Sequence, residues 1–437
     1  MRQHNPWRQH NPLRHLGVAL GFMLASVVGG CGGGSMDGSS MSPSPPPSAP
    51  PSGPSTTAPP AVMQAQQDNT PVDPAIVTAD NAFGVNLFQN LYSGTPGNVA
   101  IAPISVAMAL QIVYNGAAGA TQQGMAQTLQ LGSLSTQDLN NDNAALQGSL
   151  LNPDPLVNLT IANSLWMHLD TNPLPAAFTQ MDRTYYGATV GDLAGAPDNV
   201  NSWVSTATNG LISSILPSGN YASVVAVIAN VIYFKGQWST GFDPSQTAPA
   251  PFTLMDGTQV SVPMMHQSAT YGYLQGANFQ AVRIPYGAGR FSMLAVMPNA
   301  GTGFNSFVAG LTPDMLNTWE GQLQTGMGNL SMPKFTATWG ASLVQPLTTL
   351  GMQAAFCPSA SFPGLGMVCL QDVEHKTVVE VDESGTVAAG ATTVTVIPTV
   401  VAAPLFTLTL DQPFLYAIRD DITGELLFIG TMTDPSQ

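Results

Sequence analysis

The chain has 437 residues, only 8% of them charged, and its 25 acidic residues outnumber its 10 basic ones to give a formal net charge of −15. This length allows one large domain or two to three average ones, and it is ample for a large hydrophobic core. Nucleic acids and anionic membrane surfaces both require a positive footprint on their partner, so the acidic balance argues against either as a partner.

The first thirty residues are predicted to be an export signal. They contain no acidic residue, and their apolar stretch, residues 16–28, is too short to span a bilayer. The segment ends in Val28-Gly29-Gly30-Cys31, which resembles a bacterial lipobox, in which cleavage before the cysteine leaves Cys31 to be lipidated. An ordinary cleaved signal is the alternative. We expect an exported protein, either lipid-anchored at the cell envelope or surface or secreted to the extracellular space.

A shift in composition follows the signal. Residues 31–73 consist mainly of Gly, Ser, Pro, Thr and Ala, a composition that cannot bury a core, so this segment is predicted to be a disordered tether behind the lipidated cysteine. Residues 74–437 contain neither a comparable linker nor an internal repeat, which predicts one domain.

Within that domain, apolar spacing predicts early helices over residues 75–91 and 103–114. Later β-branched runs, broken by Gly and Pro, predict strands. The run at 223–234 is apolar on both faces, as is typical of a central strand that is covered on both sides. The other predicted strands are 378–382 and 405–410, and residues 414–430 are predicted to form a hairpin. Helices followed by strands indicate a mixed α+β fold.

No catalytic signature is present in the sequence. It lacks the Gly-x-Ser-x-Gly, His-Glu-x-x-His, Gly-x-x-x-x-Gly-Lys and Gly-x-Gly-x-x-Gly motifs, and the histidines after residue 31 are isolated from one another. We therefore expect no enzymatic activity, no cofactor and no metal. Cys357 and Cys369 either form a disulfide, if the compartment is oxidising, or remain two buried thiols.

Two longer motifs resemble the serpin family of serine protease inhibitors. The run from Asn230 to Trp238, Asn-Val-Ile-Tyr-Phe-Lys-Gly-Gln-Trp, is similar to the family's central strand leading into a buried tryptophan. Residues 408–418, Leu-Thr-Leu-Asp-Gln-Pro-Phe-Leu-Tyr-Ala-Ile, resemble its C-terminal signature. The resemblance implies a serpin fold, with about nine helices around three β-sheets and an exposed reactive-centre loop, and a monomer. Further similar segments, in family order, are Asn201-Ser-Trp-Val, Thr208-Asn-Gly, Val262-Pro-Met-Met, Ile284-Pro-Tyr, Met332-Pro-Lys-Phe, Leu350-Gly-Met and His375-Lys-Thr.

Residues 381–404 resemble the hinge and bait loop of an inhibitory serpin. The resemblance implies that a serine protease attacks the loop, forms an acyl-enzyme, and is carried across the molecule as the cut loop inserts into the main sheet. Gly385 has the backbone freedom that insertion needs. Strand alternation places Thr386 on the face that becomes buried, where no residue of the loop is charged. The hinge assigned in this way consists of Glu383, Gly385, Thr386, Ala388, Ala389, Gly390, Ala391 and Thr392.

The family's usual spacing from the hinge glycine places the attacked bond between Thr399 and Val400. Another register would place the cut at Ile397, Val400 or Ala402. The small apolar flanks suit elastase-like or subtilisin-like proteases, and no Lys or Arg lies between Lys376 and Arg419 to attract trypsin-like enzymes. The alternative is a non-inhibitory serpin-fold binding protein whose loop is only a substrate.

The resemblance also assigns residues that would control the opening of the main sheet. Polar residues at its centre are expected to hold it through buried hydrogen bonds, and each can equally be read as a satisfied core polar group. Ala102 stands where the family usually has serine, so one hydrogen bond is lost or replaced. At the base of the loop, Glu383 is expected to pair with Lys334, and Trp238 to pack beneath the point of insertion. The assigned set is Ser105, Asn230, Trp238, Lys334 and His375.

Overall fold

The computed structural model describes residues 71–94, 97–151, 154–366, 369–386 and 403–437. Nine α-helices and fifteen strands lie along this part of the chain. The α-helices are α1 (Pro74–Gly94), α2 (Pro103–Tyr114), α3 (Gly119–Thr128), α4 (Thr136–Leu150), α5 (Ala176–Tyr185), α6 (Asp198–Ala207), α7 (Phe304–Ala309), α8 (Pro313–Gln322) and α9 (Val344–Thr349). The strands are β1 (Ala100–Ile101), β2 (Val157–Met167), β3 (Thr189–Asp192), β4 (Ala226–Gln237), β5 (Ala248–Thr253), β6 (Gln259–Gln275), β7 (Phe279–Tyr286), β8 (Phe291–Pro298), β9 (Gln324–Pro333), β10 (Phe335–Ser342), β11 (Asp372–Val381), β12 (Gly385–Thr386), β13 (Phe406–Thr409), β14 (Phe414–Asp420) and β15 (Leu426–Met432).

In the described residues the strands form two hydrogen-bonded sheets. One has the order β1-β15-β14-β8-β7-β6-β9-β13, with β5 paired to β6, and the other has the order β10-β11-β12-β4-β2-β3. The resemblance implied three sheets. The nine-stranded sheet is continuous through strand β6, which is 17 residues long. One part of β6 pairs with β5 and β9, and its last residues pair with β7.

Strand β4 lies inside the six-stranded sheet and is buried along most of its length. Ile228 and Phe234 pack into the main core, whereas Val227 and Val231 join a smaller apolar cluster that includes Trp203 of α6. A strand covered on both faces has to be apolar at successive positions, and this explains the unbroken apolar run in the sequence.

The mixed α+β fold class is confirmed. Helix α2 spans the predicted range 103–114, and all its residues are buried because it carries apolar side chains on every face. Its first residue is Pro103, whose fixed φ and missing N–H suit a helix start. The predicted order of helices first and strands later is too simple, since α5 to α9 lie between strands.

Candidate functional site

The first two residues of the presumed bait loop, Gly385 and Thr386, lie inside the six-stranded sheet as strand β12. On one side Thr386 pairs with Val381 of β11, and on the other side Gly385 and Thr386 pair with Gln237 and Gly236 of β4. At their other ends β4 and β11 pair directly and in parallel, from Asp372↔Val227 to Lys376↔Val231. At one end of the sheet, β4 and β11 are therefore hydrogen-bonded directly to each other. At the other end, Gly385 and Thr386 lie between them.

The turn before β12 is built on the side chain of Asp382. One of its carboxylate oxygens, Oδ1, accepts hydrogen bonds from the backbone N–H of Ser384 (2.8 Å), from the Ser384 hydroxyl (2.7 Å) and from the N–H of Gly385 (3.2 Å). The N–H of Asp382 donates to the carbonyl of Gly385 (2.9 Å). This closed turn directs the chain from β11 back into the same sheet.

Gly385 is required by both its backbone angle and its surroundings. Its φ is +153°, a conformation that residues with a side chain rarely adopt. A Cβ atom here would collide with the carbonyl oxygen of Gly236 and lie 2.8 Å from the Cα of Gln237. Only glycine lets the loop pass this close to strand β4.

Thr386 is fixed by a buried hydroxyl pair. Its side chain is 1% exposed, and its Oγ1 lies 2.7 Å from the hydroxyl of Tyr286. The ring of Tyr286 stacks on Trp238, with centroids 4.4 Å apart and planes 12° apart, and it meets the ring of Phe234 edge-on at 5.1 Å. Burial raises the pKa of Tyr286, so its hydroxyl keeps its proton. Sequence reasoning gave Tyr286 no role, although Ile284-Pro-Tyr was among the family-like segments.

Trp238 holds the chain that leads into the loop. Its backbone N–H donates to the carbonyl of Ser384 (2.9 Å), and its indole Nε1–H donates to the carbonyl of Asp382 (2.9 Å). Nearby, the N–H of Phe242 donates to the carbonyl of Glu383 (2.8 Å). Trp238 is 4% exposed and lies next to the turn that precedes β12.

Glu383 forms an ion pair with Lys334, whose Nζ lies 2.7 Å from Glu383 Oε2. The hydroxyl of Thr247 donates to the other carboxylate oxygen (2.8 Å). Burial by itself would raise the pKa of Glu383, but the hydrogen bonds from Lys334 and Thr247 outweigh it, and the pKa lies below its ordinary value. The base of the loop is thereby tied to the end of strand β9.

At the centre of the sheet, Asn230 of β4 joins three elements. Its Nδ2 donates to the carbonyl (2.7 Å) and hydroxyl (2.6 Å) oxygens of Ser105 in α2 and to Asn163 Oδ1 in β2. Its Oδ1 lies 3.0 Å from Nδ1 of His375 in β11. All four residues are buried. The pairing of β4 with β11 is therefore reinforced by side chains where His375 faces Asn230.

The proton of His375 can be assigned. Its Nε2 accepts the backbone N–H of Ala102 (3.1 Å), so Nδ1 must carry the proton and donate it to Asn230. Burial lowers the pKa of His375 to about 3, against the opposing effect of its bond with Asn230, and the ring is neutral. Ala102 thus takes part through its backbone N–H, at the position where the family usually has a serine.

The other assigned residues fall into two groups. Cys357 and Cys369 form a disulfide, with Cα atoms 5.0 Å apart, which closes the loop that precedes β11. No cluster of three metal-ligating side chains occurs within the described ranges, and no helix there is long and apolar enough to cross a membrane. Outside the described residues lie Cys31, Ala388, Ala389, Gly390, Ala391, Thr392, Thr399 and Val400.

Comparisons with known proteins match almost all of residues 74–437. A family profile described as Serpin (serine protease inhibitor) matches residues 78–435. The leukocyte elastase inhibitor of Homo sapiens is 29% identical over 378 residues, which cover 82% of this chain and 99% of the human protein. The crystal structure of the thermophilic serpin tengpin in its native state is 28% identical, with a TM-score of 0.77, covering 84% of this chain and 96% of tengpin. The complex of thyroxine-binding globulin with thyroxine is 28% identical, with a TM-score of 0.74 and coverages of 83% and 99%.

Proposed function

This chain belongs to the serpin family, and we propose that it inhibits serine proteases as a suicide substrate whose cut loop inserts between β4 and β11. The observation that carries the proposal is the position of Gly385 and Thr386, which already pair with both of these strands. Further loop residues would extend β12 along the same path. Insertion would therefore continue an arrangement that is present in the intact protein.

Insertion has an identifiable cost and gain. The direct parallel pairing of residues 372–376 with 227–231 has to separate, and with it the bond between His375 and Asn230. In return, the incoming strand forms a ladder with a neighbour on each side. About fifteen residues at roughly 3.3 Å each would span about 50 Å, enough to move an attached protease from one pole of the domain to the other.

We propose Thr399-Val400 as the attacked bond and elastase-like or subtilisin-like enzymes as the targets. The residues around this bond are small or β-branched and uncharged, which suits a small apolar specificity pocket. The name of the leukocyte elastase inhibitor, a relative along nearly its full length, supports this target class.

The test is incubation of the full chain with pancreatic elastase and with subtilisin, followed by a denaturing gel and mass spectrometry. We expect a complex that survives SDS and a released peptide that begins at Val400. The matched variant Thr386→Arg places a charge at a position that is 1% exposed, where burying it would cost several kcal/mol, roughly, and stall insertion. This variant should be cut without forming the complex. Retained inhibition by Thr386→Arg would refute the insertion mechanism.

A binding protein of the same fold is the second candidate. Thyroxine-binding globulin has been solved with a bound small molecule. This chain has a cavity of ~210 Å³ between α4, β2 and α6, lined by apolar and uncharged polar side chains, among them Trp203 and Asn158. Clean cleavage by both proteases, without a complex and with undiminished protease activity, would favour this candidate over the inhibitor.

We further propose that the protein acts as a monomer, lipid-anchored through Cys31 at the cell envelope or surface. Secretion to the extracellular space is the alternative. The apolar stretch before Val28-Gly29-Gly30-Cys31 supports export and lipidation. Incorporation of a labelled fatty acid by the wild-type chain, but not by Cys31→Ser, would agree with the anchor. Equal labelling of both chains would exclude it.

A further inference from the structure

A hydrogen bond between two buried hydroxyls joins the two sheets at the base of the loop. Tyr286 is the last residue of β7 in the nine-stranded sheet, and Thr386 belongs to β12 in the six-stranded sheet. Their oxygens are 2.7 Å apart, and the exposed fractions are 0% for Tyr286 and 1% for Thr386. Because water has no access to either group, losing one partner would leave the other hydroxyl unsatisfied.

The position of the Tyr286 hydroxyl is set by packing that involves neither Gly385 nor Thr386. The ring is stacked on Trp238, the two residues form a β-bridge, and the N–H of Gly287 donates to the carbonyl of Gln237 (2.8 Å). Gly236 leaves room for the ring, since a Cβ there would lie 2.9 Å from Cδ1 of Tyr286. The hydroxyl is therefore a fixed point against which the loop is positioned.

A register shifted by one residue in either direction does not satisfy this fixed hydroxyl. A shift of one residue would bring Gly385 or Val387 to the position of Thr386, and neither carries a hydroxyl. Such a shift also exchanges the two faces of a strand. The bond between Thr386 and Tyr286 thus distinguishes one register from its neighbours at the point where insertion begins.

We propose that Tyr286 is a positioning residue that holds Thr386 in the sheet and so sets the register in which the rest of the loop follows. This inference rests on the proposed inhibitory function. Insertion competes with the hydrolysis of the acyl-enzyme, in which water attacks the ester, releases the cut loop as a free carboxylate and returns the protease serine intact. A loop that starts in the wrong register inserts later, and more of the inhibitor is consumed as substrate.

The first measurement is the stoichiometry of inhibition of elastase, in moles of inhibitor consumed per mole of enzyme. Tyr286→Phe removes the hydroxyl and keeps the stacked ring, and Thr386→Val removes the same bond from the other side. We expect each variant to raise the ratio of cleaved to complexed inhibitor, which is the stoichiometry minus one, by about fivefold, the effect of one lost hydrogen bond, and the double variant to raise it no further. Thr386→Ser, which keeps a hydroxyl, should restore it.

A matched control is Tyr273→Phe. Tyr273 also stacks on an aromatic ring, that of Phe406, and its hydroxyl bonds Gln275 and Gln280, so the chemical change is the same but lies outside the hinge. Its stoichiometry should equal that of the wild type. Lower thermal stability in Tyr286→Phe with an unchanged stoichiometry would overturn the proposal.

A second measurement needs no protease. Amide hydrogen exchange of a peptide that covers residues 382–386 should be about fivefold faster in Tyr286→Phe than in the wild type. If the wild type forms no complex, the inhibitory function fails, and this exchange still decides whether Tyr286 holds Thr386 in the sheet. Equal exchange in both proteins would show that it does not.

Discussion

His375 is the residue whose protonation bears most directly on the closed sheet. Its Nε2 faces the N–H of Ala102, so a proton added there would point at another donor and break the bond. The folded-state pKa, about 3, lies below the ordinary value of 6.5, so the unfolded chain binds this proton more readily than the folded one. The contribution of neutral His375 to stability is therefore complete above pH 6.5 and is lost as the pH falls from 6.5 towards 3.

The expected result is a fall in the free energy of unfolding below pH 6.5, with His375 contributing up to about 1.4 kcal/mol per pH unit. Denaturant unfolding at pH 5 to 7.5 of the wild type and of His375→Gln isolates this contribution, because the other titrating groups are shared. His266→Gln is the control, since His266 is exposed and bonds only Ser331 among the described residues. Identical pH slopes for the wild type and His375→Gln would contradict the assignment.

At the scale of elements, helix α1 and the β14–β15 hairpin meet through buried acids. Asn81 of α1 donates to the carbonyl of Gly424 and accepts the N–H of Leu426, both at 2.9 Å. These bonds bracket Glu425. Among the described residues, neither carboxylate oxygen of Glu425 has a hydrogen-bond partner, and the same is true of Asp80 Oδ2. Burial raises the pKa of Asp80 to about 7, against the effect of its bond from Gln111, and burial and the charge of Asp80 raise that of Glu425.

This contact should weaken as the pH rises. The folded-state pKa of Asp80 lies above its ordinary value of 3.8, so its contribution is complete below pH 3.8 and is lost as the pH rises through about 7. Asp80→Asn keeps an acceptor for Gln111 and cannot ionise. We expect this variant to be more stable than the wild type at pH 8, by on the order of 1 kcal/mol, with the gain shrinking at pH 5.

Chemical denaturation at the two pH values measures this difference. Asp314→Asn is the control, because Asp314 is exposed in the first turn of α8 and its replacement should leave the pH dependence unchanged. A gain of equal size at both pH values would mean that Asp80 is ionised in the folded protein throughout this range.

The elements also explain how far the sequence could predict this structure. Helix α2 and strand β4 were predictable because their apolar runs are continuous. The prediction of 378–382 missed residues 372–377 of β11, because Val373 is the only apolar residue among these six and the strand there depends on its distant partner β4. The burial of Asp80 could not be predicted, because the sequence around it is that of an ordinary helix in which a polar residue faces water.

The same limit applies to the site. The motifs pointed to Trp238, His375 and the hinge because those residue types form recognisable runs. The contact of Tyr286 with Thr386 spans 100 positions of sequence, and no local pattern encodes it. Only the meeting of the two sheets brings these hydroxyls together.

At the scale of the whole molecule, the proposed mechanism implies that the intact protein is not in its most stable arrangement. Strands β4 and β11 pair directly only over residues 227–231 and 372–376, and β12 supplies two residues at the other end. A cut loop that completes this strand would form a ladder on both sides and raise the free energy of unfolding. We expect the protein cut at Thr399-Val400 to unfold at a midpoint at least about 10 °C above that of the intact protein, which corresponds to several kcal/mol for a chain of this size.

Calorimetry of the intact and cut proteins measures the shift. Thr386→Arg, cut at the same bond, is the matched control and should gain nothing, because its loop stays outside the sheet. Equal midpoints for the intact and cut wild type would mean that the loop does not insert.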